Sequence, residues 1–285
     1  MSEVVDRVRE FAWQDQDFKF LAELLHDKTG IVLTGRKKEM MYGRLVRRLR
    51  ALKLDSFAAY CRYLQGPSGD RELGLTLNAI TTNTTSFFRE MHHFDYLRDE
   101  ILFPVGKWIA ADPGHHFRIW SAGCSSGEEP YSIAMVMRSI FGTSAKNSKI
   151  LATDIDSNML STAKAGLYDS KKCRDTIPAN YFKSCCRKGG DTGESMVEMS
   201  DEVKKLISFR HLNLLHDWPM KGKFDAIFCR NVMIYFDKET RDRLVRRYAG
   251  YLKENGILFV GHSESLLSVS DIYQCQGKTI YRLLS

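Results

Sequence analysis

The chain is expected to be an α/β protein, with a doubly wound, mostly parallel sheet of about seven strands, an antiparallel end, and an all-helical unit in front. Three observations predict this. Apolar residues recur at helical spacing through Phe18–Lys28 and Lys38–Leu52. From Phe117 onward, short apolar runs alternate with helical stretches, the rhythm of strand–helix–strand units. Tyr273–Leu283 then reads as a closing hairpin.

The 285 residues, 44% hydrophobic, are enough for two domains. The expected division is a helical domain over 1–80, a linker over 81–93, and an α/β domain over 94–285 with a small β-insertion at about 178–206. No run of about 18 apolar residues is present, so no membrane insertion is expected. The charged start MSEVVDRVREF is unlike a signal peptide, and the seven cysteines lack metal-type spacing. Both fit a cytoplasmic protein with free thiols. Adjacent histidines, His92–His93 and His115–His116, are expected to point to different sides of their element, so no metal is expected.

In the helical unit, Thr29–Gly30 ends the first helix and Lys38–Leu52 is the second. Met41, Tyr42, Leu45, Val46, Leu49 and Leu52 fall on one arc of it, and Arg44, Arg47, Arg48 and Arg50 on the other. Between Thr34 and Lys53 there are eight basic residues against one acid, Glu39, within a net charge of +7. Few acids lie nearby in sequence, so the arginine face suits an acidic partner; a plain solvated face is the alternative reading. Arg71–Ile80 reads as a third helix. Thr81–Glu90, TTNTTSFFRE, reads as a linker entering a helix at about Ser86.

The α/β unit is organised around Phe117–Ile133, FRIWSAGCSSGEEPYSI. A buried strand runs through a small-residue turn at Gly123 and Gly127 into a helix at Glu128–Glu129–Pro130, with Ser125 or Ser126 as the expected cap. A pyrophosphate favours a helix N-terminus bare or beside a lysine. Here two carboxylates stand there. They suit a cationic ligand without phosphate, of which S-adenosylmethionine is one, or they merely favour the helix dipole. ILATDID at 150–156 ends in acid: Asp154 is placed for a ribose diol, and Asp156 for the N-cap of Ser157–Ala165. Further on, Pro178–Ser208 breaks the rhythm as a small antiparallel insertion ending in a short helix, Asp201–Leu206. Ile207–Leu215, Phe224–Cys229 and Ile257–Gly261 are the remaining strands, with helix Lys238–Leu252 between the last two. Asn213, Leu214, Arg230, Asn231, Tyr235 and the His262–Ser265 tip stand at strand exits, where ligands gather in such folds.

These motifs resemble the chemotaxis receptor methyltransferases, the CheR family of protein-glutamate O-methyltransferases, over nearly the whole chain. The matching stretches are TTNTTSFFRE at 81–90, WSAGCSSGEEPYSIA at 120–134, ATDID at 152–156, NLL at 213–215, FDAIFCRNVMIYFD at 224–237 and GHSES at 261–265. The N-terminal VLTGRKKEMMYGRLVRRLR resembles that family's helical domain. The resemblance implies a class I, Rossmann-like S-adenosylmethionine methyltransferase that makes glutamate γ-methyl esters and S-adenosylhomocysteine. By matching position, Asn83, Thr85, Arg89, Glu129, Asp154, Asn213, Leu214, Arg230 and Asn231 would contact the cofactor. Arg89 and Tyr235 would lie nearest the transferred methyl. Arg44, Arg47 and Arg50 would meet the acidic methylation region of a receptor helix, and the insertion docks a receptor tail peptide in some members. Cys124 stands where relatives often carry Ala or Gly. A nucleic-acid methyltransferase, suggested by the positive charge, lacks the motif for a flipped base, so no nucleic-acid partner is expected. A non-enzymatic sensor of the cofactor would keep Glu129 and Asp154 without needing Tyr235.

Overall fold

The computed structural model describes residues 9–81, 83–106, 116–142, 148–189, 195–266 and 269–284. They divide into two compact units, 1–82 and 83–285. Residues 1–8 of the charged N-terminus, His115, and 190–194 of the insertion lie outside the described residues. Among those described, no helix is long and apolar enough to cross a membrane.

The first unit holds helices α1 (Asp15–Thr29), α2 (Lys38–Leu52), α3 (Phe57–Gln65) and α4 (Gly69–Ile80). Gly30, at φ 70°, closes α1 in the left-handed conformation that glycine adopts without strain. Of the expected apolar arc of α2, Met41, Leu45, Val46 and Leu49 are buried, and Tyr42 and Leu52 at its margins are half-buried. The sequence reading passed over α3, which starts at Ser56, whose hydroxyl accepts from Ala59 N–H at 3.3 Å.

The expectation that the arginines of α2 lack partners is corrected. Arg48 makes a two-pronged pair with buried Glu72, at 2.9 and 2.8 Å, and Tyr60 donates to the same carboxylate at 2.9 Å. Arg50 pairs with Glu10. Arg44 donates to the carbonyls of Ile80 and Thr81 at 2.6 and 2.7 Å, capping α4. The partners are distant in sequence, which is why local charge counting did not reveal them. Arg47 is exposed and has no hydrogen bond or ion pair among the described residues.

The second unit carries strands β1 (Arg118–Ala122) and β2 (Lys149–Asp154), then β3 (Leu167–Asp169), β4 (Cys186–Lys188) and β5 (Met196–Met199). β6 (Ile207–His211), β7 (Phe224–Cys229), β8 (Leu252–Val260), β9 (Tyr273–Gly277) and β10 (Ile280–Leu283) follow. The seven-stranded sheet has the order β6-β2-β1-β7-β8-β10-β9, with β10 antiparallel to β8 and β9. Alternation sends Ile119, Ala226 and Phe228 to one face and Trp120, Ile227 and Cys229 to the other, each face with its own apolar core.

The helices of this unit are α5 (His92–Tyr96), α6 (Glu128–Phe141), α7 (Ser157–Ala165), α8 (Ser170–Thr176), α9 (Ala179–Cys185), α10 (Asp201–Lys204) and α11 (Lys238–Tyr251). α6 packs on the first face and α11 on the second. Asp156 caps α7 as expected, accepting from Asn158 and Met159 N–H.

Three expectations shift. The insertion is larger than expected, because β3, already at Leu167, pairs with β5 to make a three-stranded sheet in the order β3-β5-β4, and α8 and α9 lie between β3 and β4. The helix expected at Ser86 begins at His92, because Phe88 and Glu90 take positive φ of 51° and 58° and break any helix there. β8 begins at Leu252, ahead of the expected Ile257, with an irregularity in its pairing to β7 between Phe224 and Ala226.

His92 and His93 do not diverge. Both ring Nε2 atoms stand 3.1 Å from the carbonyl of Lys278, in the β9–β10 turn. Glu90, His92 and His93 each bring a ligand-type atom within 4.8 Å of the others, and Glu90 Oε2 is 3.5 Å from His93 Nδ1 and 3.3 Å from the guanidinium of Arg230.

Burial, then the Arg230 charge, push the His93 imidazole from 6.5 down to about 3. Between those values the unfolded chain binds a proton that the folded chain does not, so stability falls as pH drops through that window. The expected loss from His93 between pH 7 and pH 5 is about 2 kcal/mol. It is read as the slope of the thermal midpoint with pH, which His93→Asn should flatten. In the helical unit, Glu72→Ala leaves the Arg48 guanidinium without its acceptor, while the Tyr60 hydroxyl keeps Thr76 at 2.6 Å. The substitution should cost on the order of 3 kcal/mol, measured by denaturant unfolding, with Glu72→Gln costing less.

Candidate functional site

The turn after β1 is where the second unit presents its polar groups. Gly123 and Gly127 adopt φ of 83° and 100°. The helix cap expected of Ser125 or Ser126 is Gly127 instead, with no side-chain cap. Ser125 donates its hydroxyl to Asn83 O at 3.1 Å, and Ser126 to Glu128 Oε2 at 2.7 Å. Four of the turn's amides are engaged internally. Gly123 and Cys124 N–H donate to Thr153 O at 2.8 and 2.9 Å, Ser125 N–H to Asp154 Oδ2 at 2.7 Å, and Gly127 N–H to Cys124 O at 3.0 Å. A loop that cradles phosphate turns such amides outward. This one does not.

Asp154 also accepts from Asp156 N–H at 2.8 Å, so its carboxylate ties the tip of β2 to the glycine turn. Burial raises its pKa, with the amides of Asp156, Ser125 and Ile155 pulling back. A carboxylate has about four acceptor positions, so these amides leave room for a hydroxyl. Asn83 donates to Asp156 Oδ2 at 2.8 Å, which brings the 83–91 segment onto the same turn. Thr85 is half-buried two residues on.

A second network forms around Arg230, at the exit of β7. Its side chain is 2% exposed. Nη1 donates to Glu129 Oε2 at 3.0 Å, and Nη2 stands 3.3 Å from Glu90 Oε2 and donates to the backbone carbonyl of Arg89. Glu129 accepts on its other oxygen from Ser121 Oγ at 2.7 Å. Burial raises the Glu129 pKa despite Arg230. For Glu90, burial acts the same way but is outweighed by Arg230 and the His262 amide, and its pKa is lowered. Two carboxylates around one guanidinium leave a net negative charge.

The remaining candidates are dispersed. Arg89 donates through Nη1 to Thr84 O at 3.0 Å. Asn213 accepts from Leu215 N–H at 3.0 Å in a turn beyond β6, and Leu214 is buried against the α11 face, with its carbonyl accepting from Trp218 Nε1 at 3.1 Å. Asn231 sits in the left-handed region at φ 59°, and Tyr235 is half-buried in a short helical turn, Met233–Tyr235. Arg44, Arg47 and Arg50 belong to the other unit. Sequence reading did not single out Glu90 or Ser121 and took Ser125 only as a helix cap, although all three stand inside the quoted stretches TTNTTSFFRE and WSAGCSSGEEPYSIA.

The chain matches two family models, "CheR methyltransferase, all-alpha domain" over residues 16–81 and "CheR methyltransferase, SAM binding domain" over residues 83–282. It is 40% identical over 270 residues to a chemotaxis protein methyltransferase of Klebsiella aerogenes, covering 94% of this chain and 90% of that one. With the chemotaxis protein methyltransferase of Escherichia coli it shares 39% over 273 residues, 95% and 92% of the two chains. With chemotaxis protein methyltransferase 2 of Pseudomonas aeruginosa it shares 40% over 274 residues, 96% and 95%.

The glycine turn has a direct test. A Cβ at Gly123 would stand 2.3 Å from Val232 Cγ2, on a backbone that L-residues avoid. Gly123→Ala is expected to lower stability by on the order of 2 kcal/mol. In calorimetry, Gly123→Ala/Val232→Ala should lose less than the sum of the single variants, because the overlap is then removed.

Proposed function

Because the chain belongs to the CheR methyltransferase family, we propose that it transfers methyl groups to glutamate side chains of chemotaxis receptors, leaving γ-methyl esters. It is an S-adenosylmethionine-dependent methyltransferase, and its donor supplies an electrophilic methyl on a sulfonium. The observation that carries the reading is the glycine turn, whose amides at Gly123, Cys124, Ser125 and Gly127 are consumed internally beside a network of net negative charge. That donor set suits a cation and offers a phosphate little.

Glu129, Asp154, Asn83, Thr85, Asn213, Leu214 and Asn231 are the residues we assign to holding the donor. Arg230 shapes the same wall through Glu129. The acceptor carboxylate, with a reference pKa of about 4.3, is already ionised at neutral pH. No general base is needed, and the chain's task is alignment and exclusion of water. A free guanidinium against that carboxylate would stabilise reactant over transition state and slow transfer. Arg230 is bound by two carboxylates and does not act so. Arg89 and Tyr235 are assigned to orienting the reactants.

In the helical unit, the unpaired Arg47 is the leading contact for an acidic receptor helix. Arg50, in an exposed pair that exchanges readily, is second, and Arg44, which caps α4, acts by holding that face in place. The small sheet, with β3 and β4 as edge strands, is the surface assigned to a receptor tail segment.

With labelled donor and receptor cytoplasmic fragments, the label should be released as methanol in base. Base-stable label, or label in RNA instead, overturns the ester reading. Arg47→Glu should reduce receptor methylation about tenfold at low salt, less at high salt, while S-adenosylhomocysteine binding by calorimetry stays unchanged.

A further inference from the structure

Glu264 has no part in the networks above, yet it is 2% exposed and its carboxylate is engaged entirely by backbone. Oε2 accepts from Asn231 N–H at 2.8 Å and Gly261 N–H at 2.5 Å, and Oε1 accepts from Ile234 N–H at 3.2 Å. These amides belong to two turns, at the exits of β7 and β8. The turns meet without space between them: a Cβ at Gly261 would lie 2.6 Å from Asn231 Nδ2 and 2.7 Å from Glu264 Oε2. On its other side the β7 exit abuts Gly123 through Val232. Asn231 holds a left-handed backbone that a non-glycine residue keeps only when its surroundings enforce it.

We infer that Glu264 is a positioning residue for methyl transfer, whose carboxylate, through the amides of Asn231 and Ile234, sets where Asn231 and the Tyr235 hydroxyl stand. The inference rests on the methyl-transfer reading and extends it to a residue that touches neither reactant. It also specifies which end of the loop depends on which oxygen. In Glu264→Gln the remaining oxygen serves the two amides at Oε2, and the new NH2 faces Ile234 N–H, donor against donor. The Asn231 end stays and the Ile234–Tyr235 end shifts.

The test measures kcat on receptor fragments per folded enzyme, counted by S-adenosylhomocysteine stoichiometry, together with the Kd for that product. Glu264→Gln should lower kcat roughly 10- to 100-fold, with Kd changed by less than about threefold. In a cycle with Tyr235→Phe, the second substitution should add little to the first, since both remove the same placed hydroxyl. Should Glu264→Gln fail to fold, Glu264→Asp, which keeps the charge one methylene short, takes its place in the cycle with a smaller loss. Unchanged kcat, loss of kcat and product affinity in parallel, or additive effects with Tyr235→Phe would each overturn the role. A wild-type enzyme that binds the product but methylates no receptor fragment would sink the methyl-transfer reading itself, and the role of Glu264 with it.

Discussion

The buried guanidinium of Arg230 constrains the second unit at the exit of its central strand. A charge taken out of water needs partners, and removing one partner of such a pair leaves an uncompensated charge. Here the partners come from three places: Glu129 in the first turn of α6, Glu90, and the carbonyl of Arg89. One side chain at the exit of the central strand β7 therefore ties down a helix start and the irregular 83–91 segment. Arg230 Nε and Glu90 Oε2 have no hydrogen-bond partner among the described residues, so the cluster is held by charge more than by ideal hydrogen bonds. Both carboxylates are pulled down by the same cation, so their opposite shifts come from their other surroundings. Glu129 is deeper and its burial prevails, while Glu90 gains help from the His262 amide.

Around that anchor the glycine turn and the acids act together. Asp154 closes the turn by accepting from Ser125, and Thr153 closes it by accepting from two amides. Four of the turn's amides are thus taken up within the unit, which leaves electrostatics more than outward N–H groups to select a ligand. The neighbouring Glu128 is pushed up in pKa by burial, with the Ser126 hydroxyl holding it partly back. The preference for a cation over a phosphate follows from both halves: few free donors, and a surplus of carboxylate.

In the helical unit, the same accounting changes the meaning of a basic helix. Four arginines on one face look like a docking surface for acid, but Glu72, Glu10 and two carbonyls engage three of them. Arg48 is a structural cation, Arg44 a cap, and Arg50 a surface pair. Net charge in sequence therefore overstates the free positive charge on that face, and Arg47 stands apart.

Periodicity was enough to read the sheet, its antiparallel end, α2 with its buried stripe, and the cap of α7 by Asp156, because each depends on neighbours within one element. The glycine turn and the acids near it were legible for the same reason. The partners of Arg230 and Arg48, the joint facing of His92 and His93 to one carbonyl, and the start of the small sheet at Leu167 were not. Each joins residues tens of positions or more apart in the chain, whose meeting depends on how strands and helices pack. Residue type and local spacing specify which groups carry charge; only the packed fold decides which of those charges are neutralised, and so which remain to meet a ligand.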